Sequence, residues 1–188
     1  MVMKRAFDIF ISLMGIFFLF VPALIIAILI KVSSEGAILF WSKRVGLNGK
    51  AFMMPKFRSM LPGAPEVATS VLRNPDYFIT PLGAFLRRTS LDEVPQLLSV
   101  LVGYMSIVGP RPALCSQIEL NEKRKNLGID KLRPGITGLA QIRGRDKLEL
   151  DEKIKFDHLY FKNLSFSGDL KIILLTFLLV IKRKNIKH

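Results

Sequence analysis

The sequence predicts an α/β, mostly helical protein: a re-entrant membrane helix over residues 1–33, broken in the middle, joined to a small globular domain over residues 34–188 with amphipathic interfacial helices. Three observations predict it. Ile9 to Ile30 is a run of 22 residues without a charge, interrupted by Pro22. The rest is strongly basic, so that 28 Lys+Arg against 15 Asp+Glu leave a net charge of +13. A second apolar segment, Leu170 to Ile181, ends in Lys182-Arg183-Lys184.

The first element is the apolar run. At about 1.5 Å per residue a straight helix of this length reaches roughly 33 Å, enough to cross a hydrocarbon core. Each large apolar side chain withdrawn from water contributes roughly 1.5 kcal/mol, so lipid is its destination. Lys4 and Arg5 precede the run as they would in a secretory signal. The run is too long for a signal core, however, and Lys31-Val32-Ser33-Ser34-Glu35 lacks a small-x-small cleavage pattern. Pro22 has no N–H for the carbonyl of Phe18, which favours a break, although membrane helices tolerate proline. Lys4 and Arg5 before the run and Lys31 after it both prefer the cytoplasmic side, and Asp8 lies one turn from Lys4 or Arg5. A helix that enters, breaks at Pro22 and leaves by the same face satisfies both ends; a kinked span satisfies one.

The remainder is long enough for one modest domain with its own core. Its charge points to anionic phospholipid headgroups, phosphorylated substrates, or both. Nucleic acid is not expected: the aromatics are mostly Phe in apolar surroundings, and neither an RNP-like nor a helix-turn-helix pattern is present. A lone Cys115 makes no internal disulfide and suits a reducing compartment, and two histidines, His158 and His188, make no His-rich metal site. Ala37 to Trp41 is strand-like, Gly46 to Gly49 a turn, and Leu61 to Glu66, with Pro62, Gly63 and Pro65, a loop. The closing helix, about 168–184, is too short to span, and its basic end suits anionic headgroups. A core helix with a basic tail reads equally well.

Chemistry concentrates between Leu86 and Arg145. Val94, Leu97, Leu98 and Leu101 recur at helical spacing, so a helix begins close to the adjacent carboxylates Asp92 and Glu93. Ser90 and Glu93 fit a capping box, but Pro95 would then lie deep in the helix, so a cap at Asp92 or Val94 is sterically easier. The acid pair thus reads either as capping residues or as chemistry. Gly109-Pro110-Arg111-Pro112 holds one guanidinium between two prolines, and such forks match phosphate oxygens. Pro134-Gly135-Ile136-Thr137-Gly138 reads as a tight turn whose N–H groups form an anion nest, flanked by Arg133, Arg143 and Arg145. With Lys56-Phe57-Arg58-Ser59-Met60 and Arg88, these supply more phosphate-binding groups than folding requires. Neither a Walker A nor a G-x-G-x-x-G pattern is present.

The broken apolar helix, Lys56 to Met60, Ser90 to Gln96, Gly109 to Pro112, and Pro134 to Gly138 with Gln141 occur in the order of the bacterial sugar transferase family. The chain resembles its small, monotopic phosphoglycosyl transferases from about Lys4 to Thr176. Asp157, Tyr160, Asn163, Ser165 and Asp169-Leu170 look like the family's closing segment. It departs from the pattern in having Val21 where a serine usually precedes the proline, Met54-Pro55 before Lys56, and Leu139 where Trp is common.

The resemblance implies transfer of a sugar-1-phosphate from a nucleotide (UDP) sugar to polyprenyl (undecaprenyl) phosphate at the cytoplasmic face of the bacterial plasma membrane. It implies that Asp92 and Glu93 are the catalytic dyad and hold Mg²⁺. Asp92 would attack the β-phosphorus and carry a phosphosugar ester. Glu93 would position the metal or accept a proton. Arg111, Arg88, Lys56, Arg58, Gly135, Thr137 and Arg143 would bind phosphate. A non-catalytic membrane adaptor binding anionic lipids also accounts for the charge and the apolar segments, but it has no use for Asp92.

Overall fold

Helix α1 (Val2–Ser33) continues without interruption through Pro22 in the computed structural model, which describes residues 2–65, 75–144 and 147–182. One helix therefore stands where a helix-break-helix is expected. Proline forfeits a single ladder bond and crowds one carbonyl, and the helical bonds on either side carry the backbone on. By length and composition α1 can cross a membrane, with a mean hydropathy of 3.0 over its most apolar 18 residues. Its two faces differ. Asp8, Ser12, Ile26 and Ile30 are buried, and Ile11, Ala23 and Ala27 pack beside them, a spacing of three and four that keeps one stripe against the body. Phe10, Leu13, Phe17, Phe20, Val21, Leu24 and Ile28 form an exposed apolar face.

The first turns of α1 are fastened by charge. Lys4 pairs with Asp169 and donates to the Val108 carbonyl at 3.0 Å. Arg5 donates to the carbonyls of Val100 (2.6 Å) and Leu101 (2.8 Å). Asp8 accepts from the Ile107 N–H at 3.0 Å and the Ser106 hydroxyl at 2.8 Å. Asp8 does not pair with Lys4 or Arg5 on its own helix, because a buried carboxylate needs fixed donors and these two are supplied by a neighbouring strand.

Strands β1 (Leu39–Val45) and β2 (Ala51–Phe57) form an antiparallel hairpin in register from Leu39↔Phe57 to Val45↔Ala51. The strand starts two residues later and ends four later than expected. The turn lies at the expected place, with Asn48 and Gly49 at positive φ, a region open to short polar residues and glycine. The expected loop follows as far as Pro65; Glu66 lies outside the described residues. After α2 (Pro75–Phe78), Thr80 caps α3 (Pro81–Thr89) by accepting the Gly83 N–H at 2.9 Å, with Pro81 pre-set for the first turn. A 3-10 turn, Leu91–Glu93, leads to α4 (Gln96–Val102). Strand β3 (Ser106–Val108) runs parallel to β4 (Gly135–Thr137), with α5 (Ile118–Asn126) in the crossover. Helices α6 (Leu139–Arg143), α7 (Leu150–Lys162) and α8 (Phe166–Ile181) complete a mostly helical α/β fold.

Two apolar clusters share α1. Phe52, Met54, Val100, Met105, Ile107, Val108, Tyr160 and Ile172 pack around Ile11 and Leu97. Phe57 and Leu86 pack with Ile26 and Ile30, flanked by Leu91 and Val94. The acidic turn is therefore held from beneath by the second cluster. Helix α8 buries Ile172 and exposes Leu174, Phe177 and Ile181. It combines a core face with an unpartnered apolar face, and its basic residues Arg183 and Lys184 lie outside the described residues.

Candidate active site

Helix α3 ends where Ser90 turns left-handed at φ 59°, and the following 3-10 turn presents Asp92 and Glu93. Pro95 occupies the cap position of α4, so the helix starts at Gln96, beyond the acid pair. The Ser90–Glu93 capping box does not form, since Ser90 makes no side-chain cap bond. Both carboxylates are nevertheless buried, at 6% and 7% exposure. Glu93 Oε1 lies 3.0 Å from Lys56 Nζ on β2 and accepts from both Arg111 terminal nitrogens at 3.3 Å. Two cations thus meet on one carboxylate oxygen, which offsets the penalty of burying the charge.

Arg111 stands on a braced loop. The Gly109 N–H donates to the Thr137 carbonyl and the Gly135 N–H to the Pro110 carbonyl, both at 2.9 Å. A Cβ on Gly109 would lie 2.4 Å from the Arg133 carbonyl oxygen, so the close approach of the loop to β4 requires glycine. Arg124 donates to the Arg111 carbonyl at 2.9 Å and pairs with the buried Asp157 at 2.6 Å. Burial pushes the Asp157 carboxyl up from its ordinary value, and Arg124 pulls it back in part. Tyr160 donates to Asp169 at 2.7 Å. Burial, and then that bond to Asp169, raises its phenol far above the ordinary value and keeps it protonated.

A cavity of about 240 Å³ opens beside Glu93 and Arg111. Leu19 of α1, Leu97 of α4, and Leu179 and Val180 of α8 make it apolar on the side of α1 and α8. Thr137, Gln141 and Thr176 line its polar part. Asp92 is buried in the turn immediately before Glu93. A larger cavity of about 330 Å³ lies between the β1–β2 turn and α5; it touches Arg124 but neither acid.

The predicted residues are only partly brought together. Lys56 and Arg111 converge on Glu93, Thr137 lines the same cavity, and Asp92 is buried in the adjoining turn. Arg88 is exposed on α3, whereas its neighbour Arg87 is buried. Arg58 donates to the Ser34 carbonyl at 2.9 Å, its hydroxyl at 2.8 Å, and the Glu35 carbonyl, closing the end of α1. Arg143 is exposed at the end of α6, Arg133 donates to the Gly103 carbonyl at 2.8 Å, and Arg145 lies outside the described residues. The segment from Pro134 to Gly138, expected to be a turn with an anion nest, contains strand β4, and the Gly135 N–H is taken by Pro110. Parallel pairing with β3 competes with the local turn tendency of Pro-Gly and wins. Sequence reasoning missed the brace from Arg124 and Asp157 and the contributions of Leu19 and Thr176, because these come from distant elements.

A buried acid pair, two converging cations and flanking apolar helices define a site for an anionic group beside an apolar surface. The pattern of the family described as bacterial sugar transferase matches residues 1–183, and the chain belongs to that family. It is 42% identical to the UDP-glucose:undecaprenyl-phosphate glucose-1-phosphate transferase of Escherichia coli K12, over 93% of this chain and 39% of that protein. It is 36% identical to the undecaprenyl-phosphate galactose phosphotransferase of Salmonella typhimurium LT2, over 96% of this chain and 41% of the relative. It is 37% identical to the exopolysaccharide production protein ExoY of Rhizobium meliloti 1021, over 92% of this chain and 83% of the relative. The chain thus spans about two-fifths of the longer relatives and about four-fifths of the shorter one.

Proposed function

We propose that the chain transfers a sugar-1-phosphate from a UDP-sugar to undecaprenyl phosphate in two steps through Asp92. The observation that carries this reading is the buried Asp92–Glu93 pair, with Arg111 and Lys56 on Glu93, beside a cavity walled by α1 and α8. In the first step an Asp92 carboxylate oxygen bonds to the β-phosphorus. The bond from that phosphorus to the bridging oxygen breaks, and UMP leaves with the electron pair. In the second step an oxygen of the lipid phosphate attacks the same phosphorus and expels the carboxylate, giving a diphosphate-linked lipid sugar. The aspartyl ester lets two anionic substrates use one site in turn. Arg111 and Lys56 lower the repulsion that each attack meets.

Two adjacent carboxylates, Asp92 and Glu93, are a donor set that suits Mg²⁺, which takes one or two carboxylates beside phosphate oxygens and water. Asp92 and Glu93 would hold it, and when bound it supplies positive charge to the diphosphate oxygens.

The membrane arrangement belongs to the same proposal. Lys4 at one end of α1 and Ser34 just beyond the other are both bonded to the body. A helix fastened at both ends to one body dips into a single leaflet with that body rather than carrying it to one side. We assign it to the cytoplasmic leaflet of the plasma membrane, where nucleotide sugars are available, in contact with phospholipid.

The test is incubation of the full chain with UDP-sugars and Mg²⁺ in the absence of lipid acceptor. About one UMP per enzyme is expected, with phosphosugar trapped on Asp92; Asp92→Asn lowers turnover by at least roughly 10³-fold while still folding. Wild-type rates in Asp92→Asn would overturn the mechanism.

A further inference from the structure

Both terminal atoms of Gln141, Nε2 and Oε1, are buried and make no hydrogen bond. A buried amide without partners is costly, and such groups are rare unless a ligand completes them. The side chain folds back over the start of α6: its Oε1 stands 2.7 Å from where a Cβ on Gly138 would lie. Glycine at that position makes the room, and it is fixed there because the same Cβ would lie 2.1 Å from the Gly109 carbonyl oxygen.

The neighbouring hydroxyls are already paired. Thr176 donates to the Ile172 carbonyl at 2.7 Å, so across the 2.6 Å contact with Thr137 it is Thr137 that donates. Neither hydrogen is left for Gln141. A ligand in the cavity must therefore offer it a donor and an acceptor side by side. A lipid phosphate offers acceptors only, and an isoprenoid chain offers neither. Within a nucleotide sugar, two parts qualify: the hydroxyls of the sugar and the imide edge of the base.

Distance decides between them. The sugar is bonded directly to the phosphorus that reacts, whereas the base lies beyond a second phosphate and a ribose. A space of about 240 Å³ shared with Glu93 and Arg111 is below the usual range for a drug-sized ligand, so it suits the part of the nucleotide sugar next to the reacting phosphorus better than the whole.

We propose that Gln141 is the residue that reads a hydroxyl group of the transferred sugar, accepting through Oε1 and donating through Nε2. The proposal rests on the transferase reading above. It makes Gln141 a direct contact of the transferred sugar in this chain, beside Glu93 and Arg111 on the same cavity.

The experiment compares full-length wild type, Gln141→Met and Gln141→Glu in detergent micelles. UMP release from UDP-glucose and UDP-galactose, inhibition by UMP, and the unfolding midpoint without ligand are measured. Gln141→Met keeps the length of the side chain and removes both polar atoms. It is expected to lower kcat/KM for the preferred sugar by about 10–100-fold and to erase most of the preference between the two epimers. Gln141→Glu, which keeps an acceptor, is expected to fall in between. Inhibition by UMP stays within about twofold, and the unliganded midpoint does not fall, because no protein partner is lost. Weakened UMP inhibition with the sugar preference intact would assign Gln141 to the base and overturn the proposal. So would a midpoint lowered by several degrees, or an active wild type with Gln141→Met unchanged in rate and preference. A wild type that releases no UMP from any UDP-sugar sinks the transferase reading and this proposal with it, whereas the other outcomes sink this proposal alone.

Discussion

Arg111 meets Glu93 from a backbone that Arg124 holds from behind, and the charge of Arg124 is met by Asp157 with 2% of its side chain exposed. Arg124→Met leaves that carboxyl buried without its cation, and a loss of about 3–5 kcal/mol is expected in chemical denaturation. The loss depends on pH with a definite sign. Burial already raises the Asp157 carboxyl above its ordinary 3.8, and removing Arg124 takes away the main cause that lowers it. A carboxyl raised in the folded state contributes stability at low pH and loses it as pH rises through the folded value. The penalty of Arg124→Met is therefore smallest near the ordinary value and grows toward neutral pH; a penalty that shrinks with rising pH would contradict the ion pair. The adjacent Arg87 and Arg88 show what a residue-level reading lacks. Spacing cannot choose between neighbours until the helix phase is set, and the Thr80 cap sets it so that Gly83, Leu86 and Arg87 face inward. Arg88→Ala is expected to change stability by less than about 0.5 kcal/mol, and Arg87→Ala by clearly more.

At the level of elements, the apolar run was legible from its length and the acidic turn from the helical spacing after it, because both signals are local. Strand β4 was not, since a three-residue parallel strand exists only by virtue of β3. Nor was the role of Arg58: the carbonyls it closes are those of Ser34 and Glu35 just beyond α1, 24 residues earlier for Ser34. The closing segment was visible as a pattern, but its work is tertiary, with Tyr160 and Asp169 holding Lys4. Pro22 was expected to break the helix and instead lies within it. The topology proposed above rests instead on the fastening of α1 at both ends. A thiol introduced as Val2→Cys, with exposed Cys115 replaced by serine, is expected to react only with reagents on the cytoplasmic side. Reaction only from the outer side would establish a span, with Lys4 and Arg5 carried across the membrane.

The molecule as a whole carries a net charge of +13 together with two exposed apolar helix faces, and under the proposed function the two features would hold a membrane by forces that salt separates. Lys and Arg near an anionic bilayer contribute about 1 kcal/mol each at low ionic strength, an attraction screened within about 3 Å at 1 M salt. Phe17 on α1 and Phe177 on α8 are 76% and 62% exposed, and burying such side chains in hydrocarbon is indifferent to screening. Vesicle flotation resolves the two contributions. On vesicles with anionic lipid, affinity is expected to exceed that for neutral vesicles at about 0.1 M salt and to converge on it at about 1 M, without release from either. Phe17→Glu with Phe177→Glu removes large apolar area while lowering the net charge by only two, and it is expected to weaken binding to neutral vesicles even at high salt. Release of the unaltered protein from neutral vesicles by salt alone would mean that charge, rather than the outer faces of α1 and α8, holds it at the bilayer. The cavity between those helices would then lie outside the lipid phase, where the proposed isoprenoid phosphate acceptor could not reach Arg111 without leaving the bilayer.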